Sequence, residues 1–203
     1  MVRLRGAGDN ERMDTTCDGR PALAGPGACR PAPPPVWADE TTMLSAFLDR
    51  HRASVRRACA GLSPAASAAA PVPGSPHLTV RGVVSHLTWS EHHWFEAVLL
   101  GRPERVADPP EGAPAAGPGA VRRPAPGSGL ADLIAGYEAQ CERSRTVTAR
   151  LEPRSGARRS RVGEPPVTLR WVLIHMVEET AAHVGQLEML RGLVEADPLR
   201  RLP

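Results

Sequence analysis

Three ionisable side chains recur every four residues in the segment HMVEETAAHVGQLEMLRG: His175, Glu179 and His183. A step of four residues in an α-helix turns about 400°, so the three form one slowly drifting stripe. Glu179 and His183 stand one turn apart, about 6 Å along the axis, and two such side chains can converge on one ion. A third ligand has to come from another helix. His86, in VVSHLTWSEHH, has apolar neighbours in Val83, Val84 and Leu87, which predicts that it points toward a helix interface. His93 lies seven residues further on, on a similar face but two turns away, whereas His92 is expected to face solvent.

His86, Glu179 and His183 together make a two-histidine, one-carboxylate set. Three protein ligands leave a coordination position open, as in catalytic rather than structural metal sites. Imidazole and carboxylate suit Zn, Ni or Fe, and the donor types do not select among them. His175, one turn before Glu179, reads as an outer partner or substitute ligand. Gln186, close after His183, could hydrogen-bond a ligand or a substrate. The alternative is that these histidines only pack, as single histidines on apolar helix faces commonly do. A buried unpaired glutamate is costly, however, and a bound metal removes that cost.

The elements that would carry these residues are helical. Apolar residues recur at helical spacing over 39–61, 79–100, 129–151 and 168–195, with no useful run of period two. Met43, Phe47, Leu48, Val55 and Cys59 mark the apolar side of the first helix. Leu130, Leu133, Ile134, Tyr137, Cys141 and Val147 mark that of the third. Asp39 or Thr41, Thr79 and Thr168 stand where N-caps are needed. Four long amphipathic helices predict an all-α four-helix bundle. A long Pro/Gly-rich loop is expected over 101–127, and an Arg-rich loop before the last helix, with Arg154, Arg158, Arg159 and Arg161 on its solvated surface. Residues 1–36, ending in CRPAPPPV, read as a disordered Pro-rich tail, 37–197 as the folded domain and 198–203 as a short C-terminal tail. Trp89, Trp94 and Trp171 either pack in the core or line a pocket.

Composition narrows the classes. The chain has 203 residues, 22 prolines and a formal net charge of +3. All 25 basic residues are arginine. With so much Ala, Gly and Pro, this suits a GC-rich coding sequence better than a nucleic-acid site, and no basic stripe is interleaved with aromatics. The four cysteines, Cys17, Cys29, Cys59 and Cys141, form no metal or disulfide pattern, which suits a reduced, cytoplasmic protein. No apolar signal segment or membrane-spanning run is present. Neither a nucleic acid nor a membrane is therefore expected as partner. Nucleophilic triads, phosphate loops and HExxH zinc motifs are also missing.

SHLTWSEHHWFEAVLLG and TLRWVLIHMVEETAAHVGQLEMLRG resemble the two signature helices of the DinB-like superfamily, and within it the actinobacterial mycothiol-transferase-like branch. The resemblance covers about residues 39–196. It implies a four-helix bundle with a divalent metal in its core, often as a homodimer. It carries the ligand roles onto His86, Glu179 and His183. Many members have histidine at the position of Glu179; this chain follows the glutamate variant seen in mycothiol-dependent maleylpyruvate isomerase. Close relatives often carry a further histidine where this chain has Gln186, a departure that leaves position 186 without an inherited role. The implied cosubstrate is a low-molecular-weight thiol such as mycothiol, and the implied reaction is S-transfer to a small-molecule electrophile or thiol-assisted isomerisation. No catalytic cysteine is required. The competing reading is a non-catalytic metal-binding bundle with a stress, resistance or small-molecule-binding role.

Overall fold

The structure, a computed structural model, describes residues 33–104, 127–160 and 163–196. The expected tails, apart from residues 33–36, and most of the expected 101–127 loop lie outside the described residues. Five α-helices are present among the described residues: α1 (Glu40–Cys59), α2 (Pro64–Ala68), α3 (Val80–His92), α4 (Leu130–Thr148) and α5 (Leu169–Ala196). A π-helical turn, His93–Val98, continues α3. No strand occurs among the described residues. A single antiparallel bridge between Gly156 and Thr168 ties the loop before α5 to its start.

Local chemistry sets the helix starts. The Asp39 carboxylate accepts from the Thr42 N–H at 3.0 Å, and the Thr79 hydroxyl from the Gly82 N–H at 2.9 Å. Each satisfies one amide that the first turn leaves without an intrahelical acceptor. Ser63 caps α2 with Pro64 as its first residue, where the missing proline N–H costs nothing. The 79–100 segment is not one uniform helix. Past His92 the ladder lengthens, with Leu99 N–H donating to Trp94 O, five residues back, at 3.1 Å. Such π turns insert a residue into a helix and re-aim the side chains after it. Gly101, at φ +69°, then turns the chain away, and a Cβ there would stand 3.3 Å from Arg158 Cβ.

α1 packs along α5, while α3 packs against both α4 and α5. The buried apolar residues form two clusters. One joins Val55, Val83, Val84, Leu87, Tyr137, Leu187 and Leu190; the other joins Leu48, Phe95, Leu99, Leu169, Leu173 and Met176. Each such side chain, fully buried, contributes about 1.5–3 kcal/mol. Between the clusters every long helix turns polar inside: Arg52 on α1, His86, Ser90 and Glu91 on α3, Gln140 and Ser144 on α4, and Thr180 and His183 on α5 are all buried. The candidate site belongs to this polar waist.

Two expectations are corrected. Phe47 is 41% exposed, and the buried stripe of α1 instead runs through Leu48, Arg52, Val55 and Cys59. His92 is buried rather than solvated, because Pro103, past the Gly101 turn, and Glu96, one turn on, close over its ring. Its Nε2 lies 3.2 Å from Pro103 O, and its Nδ1 lies 3.5 Å from Glu96 Oε1.

Candidate metal centre

His86 and Ser90 come from consecutive turns of α3, and Glu179 and His183 from consecutive turns of α5. Glu179 Oε1 is the hub. It stands 2.8 Å from His86 Nε2, 3.3 Å from His183 Nε2 and 3.4 Å from Ser90 Oγ, which donates to it. One ligand atom from each of His86, Glu179 and His183 lies within 4.8 Å of the other two. Ligands bonded tetrahedrally at about 2.0–2.1 Å would be roughly 3.3 Å apart. The donor set therefore fits one small divalent cation with little rearrangement. His86 is 1% exposed and His183 7%, whereas the Glu179 side chain is 24% exposed, so the trio opens on the Glu179 side.

The electrostatics favour charge separation. Hydrogen bonds from His183 and then His86 hold the Glu179 carboxyl well below the usual carboxylate range, against a smaller opposing effect of burial. For His183, burial favours the neutral ring, but the contacts with Glu179 and Gln186 together outweigh it and raise the pKa. His183 Nδ1 lies 2.7 Å from Gln186 Oε1, an oxygen that can only accept, so Nδ1 carries a proton. In the neutral ring this leaves Nε2 as a lone-pair donor facing Glu179. Ligating histidines are typically fixed through the other ring nitrogen in this way. His86 Nδ1, by contrast, is buried and makes no hydrogen bond among the described residues.

The remaining sequence-predicted residues separate. Gln186 sits behind His183 as described. His175 turns to the aromatic side of the seam, stacked on Trp171 with ring centroids 5.0 Å apart and edge-on to Trp94 at 4.7 Å. His93 is held elsewhere, with Nδ1 2.7 Å from Glu104 Oε1 and its ring stacked on Trp89 at 4.8 Å. Neither belongs to the cluster around Glu179. Arg154, Arg158 and Arg159 are exposed, and Arg161 lies outside the described residues. Sequence reasoning missed Ser90, although its place one turn after His86 was the available signal.

A second buried polar group braces the waist. Arg52 donates through Nε and Nη2 to the two oxygens of Glu91 at 2.8 and 2.6 Å, and through Nη1 to Asp49 at 2.9 Å. Its guanidinium carbon stands 5.7 Å from the centroid of the Phe95 ring. This ion pair locks α1 to α3, the helix that presents His86.

The family model for mycothiol-S-transferase matches residues 43–196, from within α1 to the end of α5. The chain belongs to the mycothiol-S-transferase family. No curated protein matches it. In a mycothiol-S-transferase the polar waist acquires a chemical context, since the family's name points to mycothiol S-transferase activity, which implies a small-molecule substrate. Neither buried thiol offers a competing nucleophile: burial pushes both Cys59 and Cys141 up to about 12. No helix among the described residues is long and apolar enough to cross a membrane.

Proposed function

We propose that this chain is a divalent-metal-dependent S-transferase, or thiol-dependent isomerase, that uses a mycothiol-type thiol against a small electrophile. The observation carrying this reading is the convergence of His86, Glu179 and His183 in a chain of the mycothiol-S-transferase family. These three residues would hold Zn, Ni or Fe. Such a cation, when bound, lowers the pKa of a coordinated thiol, so that thiolate is available near neutral pH.

The protein's own residues supply the rest. Gln186 fixes the His183 ring so that Nε2 is presented to the site. Ser90 and His86 orient the Glu179 carboxylate. The apolar clusters on either side of the waist keep bulk water from the buried faces of both histidines. The partly exposed side of Glu179 leaves room for the thiol and its electrophile to approach. In this reading the four long helices form the DinB-like bundle, the protein acts in the cytoplasm as a homodimer, and nucleic acids are not partners.

The test is thiol consumption by untagged protein supplied with Zn or Ni, a low-molecular-weight thiol and a model electrophile. Turnover should require the metal, stop with a chelator and be lost in His183→Ala. Metal binding without turnover across a panel of electrophiles would instead favour a non-catalytic metal-binding role.

A further inference from the structure

An array of aromatic rings runs along the α3–α5 seam away from Glu179. His86 and Trp89 lie 6.0 Å apart between centroids, Trp89 and His93 stack at 4.8 Å, and His93 meets Trp94 at 5.0 Å. Trp94 in turn approaches His175 at 4.7 Å and Trp171 at 5.1 Å. Trp171 and His175 are nearly parallel, 10° apart. Three of the chain's four tryptophans are in this one array.

Simple packing does not account for its outer end. Trp171 is 44% exposed although an apolar cluster lies beside it on α5. A tryptophan left this open forgoes much of the stabilisation that burial would give it. What the arrangement provides is a flat, π-rich surface already stacked and braced. Trp94 holds it edge-on, and Glu104 fixes the His93 ring through Nδ1. Along α5, His175 is one turn and Trp171 two turns from Glu179, about 6 and 12 Å by helical rise. A ring stacked there would lie one to two turns from Glu179, on the α5 stripe that also carries Glu179 and His183.

We propose that this surface is the electrophile subsite, and that it selects planar, electron-poor aromatic electrophiles. Indole and imidazole faces are electron-rich, so offset stacking favours an electron-poor partner. The inference rests on the proposed thiol transfer for its chemistry, but binding can be read without turnover. In a reaction with 1-chloro-2,4-dinitrobenzene, the thiolate sulfur bonds to the ring carbon bearing chlorine. The C–Cl bond breaks with its electron pair, chloride leaves, and the thiol proton goes to buffer.

The binding test is equilibrium dialysis of unreactive 1,3-dinitrobenzene against wild type, Trp171→Ala and Trp171→Phe, with cyclohexanone as the aliphatic control. Saturable binding should weaken about 3- to 10-fold in Trp171→Ala, the worth of one stacked ring. Trp171→Phe should retain most of it, and cyclohexanone should not bind measurably. Because Trp171 is partly exposed, both variants should fold, which circular dichroism checks. In turnover, Trp171→Ala should raise KM for 1-chloro-2,4-dinitrobenzene by the same factor, and by more than it raises KM for iodoacetamide, which has no ring to stack. Absence of saturable binding, equal affinity in Trp171→Ala, or binding that a second copy of the chain displaces as protein concentration rises would each overturn the subsite. Trp171-dependent binding with no thiol transfer would leave the subsite standing and remove the proposed reaction.

Discussion

Replacing Gln186 with Leu isolates what the second ring nitrogen of His183 does. Leu is close to Gln in size and cannot accept a hydrogen bond, so the 2.7 Å contact with His183 Nδ1 is lost while the helix is kept. Two effects follow. The ring is freed to rotate, and the tautomer with its proton on Nε2, which cannot ligate, is no longer disfavoured. Loss of such an outer partner typically weakens metal binding about 10- to 100-fold. That corresponds to about 1.4–2.7 kcal/mol, from the top of the ~0.5–1.5 kcal/mol range of a typical hydrogen bond upward, because the ligand itself is misplaced as well. Without metal the variant should lose no more than about 1.5 kcal/mol, since Gln186 is only half-buried. Competition with a chromophoric chelator for Zn reads the affinities of wild type, Gln186→Leu and Gln186→Glu. Gln186→Glu, which keeps an acceptor, should bind at least as tightly as wild type. A Gln186→Leu affinity within threefold of wild type would refute the claim that this contact positions His183 for a metal.

Three further outcomes follow from the buried groups. Arg52→Met leaves Glu91 charged and unpaired in the waist, so it should cost about 3–5 kcal/mol and lower Tm by roughly 10 °C. Arg52→Met/Glu91→Leu should recover most of that in calorimetry, and a double variant as unstable as the single one would show that the ion pair is not the cause. The Glu96 carboxyl is brought down to about 2: burial opposes its ionisation, but hydrogen bonds from Gln140 and Arg102 and the nearby His92 prevail. Because this folded value is depressed, ionised Glu96 stabilises the fold above about pH 4.5 and the contribution is lost as pH falls toward 2. Urea midpoints of Glu96→Gln should therefore fall less steeply than those of wild type across that window; parallel curves would contradict the assignment. In a Cys17→Ser/Cys29→Ser background, Cys59 and Cys141 should resist Ellman's reagent at pH 8 until the protein unfolds, and prompt labelling of either would mean that the apolar cluster holding them opens readily.

The long helices were legible because each depends on local signals: apolar residues at helical spacing and, for α1, α3 and α5, an Asp or Thr at the start; α4 begins after Gly129, which gives no such signal. The convergence of His86 with Glu179 and His183 was also legible, since spacing fixed which residues share a face of α3 or α5. What spacing could not convey was the surroundings of each face. His92 was expected in solvent because its neighbours on α3 gave no sign that the chain past Gly101 would return to meet it. Nothing in the spacing marks Arg52 and Glu91 for burial, which the bidentate pairing across α1 and α3 accounts for. The π turn at His93–Val98 left no trace in periodicity, because one inserted residue shifts a helical pattern by less than the scatter of ordinary sequences. α2 had its signal in Ser63-Pro64, obscured by the alanines and prolines that follow. His175 and His93 share the stripe of the candidate ligands but point along the seam, where aromatic stacking holds them.

The most direct test of the central claim is elemental analysis of the untagged protein beside His86→Ala and His183→Ala. Wild-type protein should hold about one divalent metal ion per chain, and either variant little or none, with helical content preserved. Wild-type protein that binds no metal even after incubation with Zn or Ni, or variants that keep the full complement, would contradict that claim. His86, Glu179 and His183 would then be only a hydrogen-bonded seam within the packed helices.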